Sequence, residues 1–181
     1  MQSDPNLPSE SDLVSLTLRA RVAFVARCVR RVLPMLSVMQ DVDKDKIDTA
    51  VAIANDVASR SAPVNSNMSS ICSHVTVTSW KAKRAASITE AVAAAADFAC
   101  TTNALTDYPN VTFDSVEALN VQEAMHAVSA AYSANPSPMH ANAILRDYRT
   151  LLEHQHQNDW THDTPVTQDI FGPFFVDEDD E

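Results

Sequence analysis

The sequence predicts an all-α fold, a compact bundle of about six or seven helices with little or no sheet. Alanine, the best helix former, occurs 26 times among 181 residues, whereas glycine occurs once. Apolar residues recur every three or four positions in the N-terminal part, which is the period of one helix face. Helix-capping sequences precede several later stretches. These three features together predict helix throughout the body of the chain.

The first helix is predicted to run from near Ser11 to Pro34. One face carries a regular apolar seam, formed by Leu18, Val22, Val25, Val29, Val32 and Leu36. The opposite side mixes apolar residues with Arg27 and Arg31, so we expect neighbouring helices on both sides and a central position. Because proline has no backbone N–H, the helix is expected to kink or end at Pro34.

The middle of the chain is predicted to contain two helices separated by a turn. The segment from Asp43 to Arg60 has acidic residues near its start and a base at its end, as the helix dipole prefers. Residues 62–67 are polar and contain a proline, so we expect a turn there. Valine and threonine in 68–84 favour strand locally. The helical context on both sides nevertheless predicts helix.

Later helix starts are marked by capping residues. Capping boxes occur at Ser87–Glu90 and at Asp114–Glu117, each followed by an alanine-containing run. Ser137 before Pro138 predicts an N-cap followed by the first helical residue, and the helix should extend to about Gln155.

The C-terminal region is expected to end the helical body. Thr164–Pro165 predicts a short helix, which the dipeptide Gly172–Pro173 would stop. The chain is therefore divided into a loose arm at 1–10, a single helical domain at 11–176 and a solvated acidic tail at 177–181.

Composition disfavours several functional classes. Phosphate-binding loops, dinucleotide fingerprints and nucleophile elbows need glycine, and Gly172 is the only one. Three widely spaced cysteines, Cys28, Cys72 and Cys100, fit small buried side chains better than a reactive or bridging thiol. The N-terminus lacks a secretory signal pattern, and no run of 18 apolar residues occurs. We therefore expect a cytoplasmic protein without a membrane segment.

The net charge of −11 is unevenly distributed along the chain. Residues 1–18 contribute −3, residues 19–149 contribute +1 and residues 150–181 contribute −9. A nucleic-acid-binding protein is expected to show the opposite bias, a basic face for the phosphates. The sequence therefore predicts no nucleic-acid partner and allows a basic protein partner.

The side chains suited to catalysis or metal binding do not form a recognisable motif. His154 and His156 point to different faces of a helix, so with His162 they fit a polar helix end better than a metal site. Glu123 and His126 form a single Glu-x-x-His pair, whereas di-iron bundles use two. We predict no catalytic residue, no cofactor and no metal. A metal-binding helical-bundle enzyme is kept as an alternative.

Two basic clusters and one aromatic segment each have a structural and a binding interpretation. The clusters are Arg27, Arg30 and Arg31, and Lys81, Lys83 and Arg84. Interleaved acids favour salt bridges within the bundle over phosphate binding. The segment 159–175 holds four of the eight Trp and Phe residues. Its rings are expected to fasten the C-terminus onto the bundle, and a partner surface is the alternative.

Two N-terminal stretches and one C-terminal stretch have a familiar pattern. Residues 21–36 form an apolar helix whose ending is similar to a Cys-x-Arg-Val-Leu-Pro type motif, with two residues instead of one between Cys28 and Arg31. Residues 45–54 follow and are similar to a Lys-Ala-Ile-Glu-Ala-Ala type helix. The matching positions of the ending are Cys28, Arg31, Val32, Leu33 and Pro34. This order resembles the all-α immunity proteins of bacterial polymorphic toxin systems. Asp169–Phe174 is similar to the Asp-Ile-Phe-Gly-Asn-Pro-Phe ending of related alanine-rich helical proteins, with one residue missing. Residues 61–80 depart from the family in being richer in Ser, Thr and Val.

The resemblance implies an immunity protein that neutralises a cognate toxin by direct binding and has no chemistry of its own. The toxin is expected to be basic, because an acidic protein associates faster with a basic one. Together with the charge distribution, the resemblance implies a partner surface formed by Asp159, Trp160, Asp163, Asp177, Glu178, Asp179, Asp180 and Glu181. A helical scaffold without a toxin partner, self-associating through alanine-rich faces, is the first alternative.

Overall fold

The computed structural model describes residues 7–38, 44–59, 87–88, 90–96, 98–99, 102 and 113–174. Within these ranges the chain is mainly helical, with helices packed compactly against one another and no strand. The predicted all-α fold is confirmed. Several sequence-based predictions lie outside the described residues: the turn at 62–67, the helix at 68–84, the basic cluster at 81–84 and the tail at 177–181.

Five α-helices and two 3-10 helices have defined bounds in the described ranges. They are α1 (Glu10–Ser15), α2 (Leu18–Val32), a 3-10 helix (Leu33–Val38), α3 (Lys44–Ser59), α4 (Phe113–Ala134), α5 (Pro138–Gln157) and a second 3-10 helix (Gln168–Phe171). The alanine-rich residues described within 87–102 are also helical. No helix among the described residues combines the length and apolar character needed to cross a bilayer.

Helix α2 occupies the centre of the bundle and packs against α3, α4 and α5. The predicted seam is buried from Leu18 to Val32, and Phe24 on another side of the helix is also fully buried. Small side chains from the alanine-rich residues, such as Ala91 and Ala95, join the same core. The predicted central position of this helix is confirmed.

The single helix predicted from Ser11 to Pro34 is wrong, because the chain breaks at Leu16 and Thr17. Leu16 has extended backbone angles and ends α1, and Thr17 is the N-cap of α2. The Thr17 N–H donates to Gln155 Oε1 at 2.7 Å. A side chain distant in sequence therefore supplies the acceptor that this N–H lacks where the helix is broken. The spacing of the apolar residues does not reveal this cap, because Gln155 is 138 residues away from Thr17.

The predicted effect of Pro34 is confirmed. Helix α2 ends at Val32, and the chain continues as the 3-10 helix that contains the proline. Its tighter turns tolerate the missing donor that an α-helix would need at this position.

Of the local capping signals, the one at Ser137–Pro138 predicted a helix start correctly, whereas Ser87 is itself helical and Asp114 lies inside α4, which begins at Phe113. Ser137 accepts a hydrogen bond from the His140 N–H, and Pro138 is the first residue of α5. The helix extends to Gln157, two residues further than expected. The short helix predicted to open at Thr164–Pro165 begins instead at Gln168.

This later start has a local cause. The hydroxyl of Thr164 accepts a hydrogen bond from the Thr161 N–H at 2.9 Å, and the Thr164 N–H donates to Thr161 O at 3.1 Å. Thr164 is therefore used to close a turn rather than to cap a helix.

Candidate functional site

Four of the five arginines of α2 are buried. Arg19, Arg21, Arg27 and Arg31 are only 2%, 0%, 2% and 7% exposed. A buried guanidinium is costly unless carboxylates or carbonyl oxygens surround it. The partners of these arginines therefore show how the centre of the molecule is organised.

Arg19 and Arg21 bind the C-terminal ends of neighbouring helices. Arg21 donates from Nε to Leu13 O at 2.9 Å and from Nη2 to Leu16 O at 3.1 Å, at the end of α1. Arg19 donates from Nη1 to Val57 O in the last turn of α3. The last carbonyls of a helix have no partner within it, and a guanidinium satisfies them with favourable charge.

Arg27 and Arg31 share one buried carboxylate, that of Asp147 on α5. Arg31 donates to both of its oxygens at 2.8 Å, and Arg27 Nε lies 3.4 Å from Oδ2. Burial lowers the pKa of Arg27 from its ordinary value, and the Asp147 charge opposes that shift. The salt bridges predicted within the bundle are confirmed for these two arginines. Arg30 is half-buried and lies over the Phe174 ring, 5.1 Å from its centre.

The same face of α2 is covered by residues 158–174, which we call the C-terminal strap. The strap follows α2 in the same direction. His162 Nδ1 accepts from the Leu18 N–H at 3.3 Å, and Gln168 Nε2 donates to Ala23 O at 3.1 Å. Arg27 Nη2 then donates to the carbonyls of Gly172 and Pro173 at 2.9 and 3.0 Å.

Aromatic rings fasten the end of the strap. The guanidinium carbon of Arg27 lies 3.6 Å from the centre of the Phe174 ring and 5.3 Å from that of Phe171. Phe171 is buried, and the Phe174 carbonyl accepts a hydrogen bond from Arg31 at 2.5 Å. These contacts are the structural role expected for the aromatic segment, because a cation over a ring face is attracted by its quadrupole.

Three of the eight predicted partner-binding residues lie together on the turn after α5. Asp159 and Asp163 are exposed, and the half-buried Trp160 ring stacks on His154 with centres 6.4 Å apart. Asp163 lies 3.7 Å from the buried Arg19. We call Asp159, Trp160 and Asp163 the acidic corner. The other five predicted residues, 177–181, lie outside the described part of the chain.

Backbone contacts hold the acidic corner in place. The Trp160 N–H donates to Gln155 O at 3.2 Å, and the Val166 N–H donates to Ala58 O at the end of α3 at 2.9 Å. Asp159 has a φ of 49°, a left-handed conformation that aspartate tolerates better than most residues. The corner therefore places two exposed carboxylates and a half-buried ring on a turn that backbone hydrogen bonds hold in place.

Among the described residues, basic side chains are concentrated in the interior and acidic side chains at the surface. Among described residues with a defined exposure, nine acidic side chains are exposed: Glu10, Asp45, Asp48, Asp56, Glu90, Glu153, Asp159, Asp163 and Asp169. By the same measure one basic side chain, Arg149, is exposed, and Arg30 and Arg146 are intermediate. Because four α2 arginines are buried, exposed acids outnumber exposed bases among the residues whose exposure is defined.

The histidines considered as metal ligands each make different contacts. His154 stacks on Trp160, His162 accepts from the start of α2, and His156 is exposed. His126 Nε2 lies 2.6 Å from Glu90 Oε1, with both side chains more than half exposed, so it does not face the bundle interior. The described residues contain no group of three side chains suited to hold a metal ion.

Cys28 is buried in the core beside the arginine cluster, as predicted. Burial raises the pKa of its thiol well above the ordinary value, and the nearby Asp147 adds to the rise. The thiol therefore stays protonated, which removes the thiolate that a nucleophile requires. Cys72 and Cys100 lie outside the described residues.

The organising roles of Arg19, Arg21 and Asp147 are not predicted by the sequence. A signal for part of this site was present, because Arg19, Ala23, Arg27 and Arg31 repeat every four residues and so share one helix face. Three arginines on one face of an otherwise apolar helix indicate that something polar covers that face. Nothing local indicates that the cover is the C-terminal strap.

Comparison of the chain with protein-family models, with curated proteins and with solved structures finds no match.

Proposed function

We propose that this chain is an immunity protein, which binds a basic bacterial toxin directly and neutralises it without chemistry of its own. The observation that carries the proposal is the sorting of charge. Four of the five arginines of the central helix are buried inside the protein, while nine acids of the described surface are exposed. Such a surface attracts a basic partner and repels nucleic acid.

The acidic corner is the proposed contact surface. A half-buried tryptophan flanked by carboxylates combines an aromatic anchor with charge complementary to a basic partner. Asp159 and Asp163 would select the partner and orient it, and Trp160 would supply apolar contact area. The sequence between 177 and 181 adds five acids to the same end of the chain.

Electrostatic attraction would act mainly on the rate of association. A toxin acting in the cytoplasm must be captured before it reaches its target, so fast capture is the property that the acidic surface would provide. We propose that this capture takes place in the cytoplasm. Deleting 177–181 should slow association with the toxin and flatten its dependence on salt.

Co-expression with the toxin tests the proposal. The gene adjacent to the coding sequence is expressed in susceptible bacteria with and without this protein, and survival is counted. We expect survival when both are present, and co-elution of the two purified proteins on a sizing column. Absence of both protection and a complex would refute the proposal.

Charge-neutral variants test the acidic corner. Asp159→Asn with Asp163→Asn should reduce the association rate constant about three- to tenfold. The control is Asp45→Asn with Asp48→Asn, which removes the same charge from exposed positions on α3. If the two double variants slowed association equally, the association rate would depend on net charge and not on the acidic corner.

The aromatic anchor has its own variant. Trp160→Ala should raise Kd about tenfold or more if the ring is a binding hot spot, whereas Trp160→Phe should lose less. An unchanged Kd for Trp160→Ala would limit the role of the ring to its stacking on His154. The scaffold alternative predicts instead that the protein associates with itself and that the adjacent gene encodes no toxin.

A further inference from the structure

Helix α5 carries an open groove along one of its faces. The described lining residues are Asn142, Leu145, Arg146, Arg149, Thr150 and Glu153, and the space is about 330 Å³. These positions are three or four residues apart, so they form one continuous face of the helix. Leu145 gives the groove apolar surface, and Arg146 and Arg149 against the single acid Glu153 leave it with a net positive charge.

The two arginines of the groove have little of their charge satisfied within the described structure. Arg146 Nη2 is buried and makes no hydrogen bond, and its Nε lies 4.0 Å from an Asp147 oxygen that Arg31 already occupies. Arg149 is exposed and forms no ion pair with a described residue. Most exposed charged residues of the described part of the chain are acidic, and this groove is a local cationic site among them.

The C-terminal strap ends close to this groove. Arg31 donates from Nη2 to Asp147 Oδ1 and from Nη1 to Phe174 O, so a single guanidinium joins Asp147 to the end of the strap. Arg146 lies on the other side of the same carboxylate, at 4.0 Å. Only the Arg31 guanidinium and the Asp147 carboxylate therefore link Arg146 to Phe174, the last described residue.

The remaining chain has the length and charge to reach the groove. Asp177 is three residues beyond Phe174, and an extended chain advances by about 3.3 Å per residue, or roughly 10 Å over that interval. Arg146 and Arg149 are separated along the helix by about 4.5 Å. The five acids at 177–181 therefore come within reach of both arginines.

We propose that the α5 groove binds the acidic stretch 177–181 of the same chain, with its carboxylates paired to Arg146 and Arg149. Arginine suits this role because its planar fork donates two parallel hydrogen bonds to a carboxylate. The contact belongs to the free protein and does not rest on the proposed function. A basic partner that recruits the tail must then compete with these two arginines for it.

Zero-length crosslinking of the full chain tests the contact. Arg149→Lys keeps the positive charge and supplies an amine that a carbodiimide joins to a neighbouring carboxylate. Peptide mapping should find the amine introduced at position 149 linked to 177–181. Because the Debye length shrinks to about 3 Å in 1 M salt, the yield of this link should fall about fivefold or more at that concentration.

A matched variant separates a docked tail from one that reacts at random. Gln122→Lys places an amine at an exposed position on α4, outside the groove. We expect the link from 177–181 to the amine at position 149 to exceed the link to the amine at position 122 by about fivefold, since the groove raises the local concentration of carboxylate. Equal yields at the two positions would overturn the proposal.

Isotope labelling distinguishes the same chain from a second copy. Light and heavy Arg149→Lys proteins are mixed before crosslinking, and a tail that binds its own chain gives linked peptides of one label only. Mixed-label peptides would overturn the intrachain contact in favour of self-association.

The unmodified arginines provide a second readout by NMR. The Nε–H signals of Arg146 and Arg149 should move when all five acids of 177–181 are changed to their amides, whereas the signal of the buried Arg21 should not. Unchanged groove signals would overturn the proposal even if the crosslinking variant fails to fold.

Discussion

Arg31 donates two hydrogen bonds to Asp147, from Nε to Oδ2 and from Nη2 to Oδ1. Each is 2.8 Å long and buried in the centre of the bundle. The carboxylate also faces Arg27, so two buried positive charges share one negative charge. The carbonyls of 172–174 and the face of Phe174 complete the coordination of the two guanidinium groups. The ion pair therefore joins α2, α5 and the C-terminal strap at one point.

Asp147→Asn should strongly destabilise the fold. The amide keeps the shape of the carboxylate but leaves Arg27 and Arg31 buried without a counter-charge, which costs about 3–5 kcal/mol. The free energy of unfolding, measured by urea titration, should fall by that amount. Asp56→Asn is the control, because Asp56 is exposed on α3 and its replacement should change stability by less than about 0.5 kcal/mol. If Asp147→Asn and Asp56→Asn changed the free energy of unfolding by equally small amounts, the Arg31–Asp147 ion pair would contribute nothing to stability.

Phe174→Leu should weaken the attachment of the strap. Leucine keeps an apolar side chain but has no ring face for Arg27, which lies 3.6 Å from the ring centre. We expect a loss of about 1–2 kcal/mol in the free energy of unfolding. Phe174→Tyr preserves the ring face and should stay close to the wild type. A leucine variant as stable as the wild type would contradict a cation–π contribution.

The elements that sequence analysis predicted well are those determined by neighbouring residues. Ser137 and Pro138 specify the start of α5 through one hydroxyl and one missing N–H, both visible locally. The buried seam of α2 follows from its spacing alone, and Pro34 ends that helix by its own geometry. These features need no knowledge of distant chain segments.

The features that escaped prediction depend on partners far away in sequence. Asp147 is separated from Arg31 by 116 residues, and the break after α1 is capped by Gln155, 138 residues from Thr17. The pattern of α2 shows that its arginine face needs polar cover, but many acids and carbonyls in the chain could supply it. Only the tertiary arrangement selects the strap and Asp147.

His140 should make stability depend on pH. It is 6% exposed and stacks on Tyr132, its Nδ1–H donates to Asn135 O at 2.9 Å, and burial lowers its pKa below the ordinary 6.5. The nearby Arg31 lowers this pKa further, while Asp147 and the Asn135 contact oppose the shift. The unfolded chain therefore binds a proton to this residue more readily than the folded one. Stability should fall as pH drops below 6.5, until the folded-state pKa is passed.

His140→Asn should reduce this pH dependence. The asparagine Nδ2 can still donate to Asn135 O, but the side chain does not titrate. Unfolding free energies between about pH 7.5 and about pH 5.0 should therefore change less in the variant than in the wild type. His156→Gln is the control, since His156 is exposed at the end of α5. If His140→Asn and the wild type gave parallel curves, another group would be responsible for the slope.

Gly172→Ala should destabilise the protein through its backbone alone. Gly172 has φ 66° and ψ −160°, a conformation that is nearly restricted to glycine, and a Cβ added there would meet no atom within 4 Å. The expected cost is about 1–3 kcal/mol of strain. If the chain relieves this strain by turning, the Gly172 carbonyl leaves Arg27, so the strap should also become more accessible to proteases. Thr167→Ala, an exposed change in the same strap, should leave both the unfolding free energy and the cleavage rate near wild type. If Gly172→Ala matched Thr167→Ala in both the unfolding free energy and the cleavage rate, the strap would not require a positive φ at position 172.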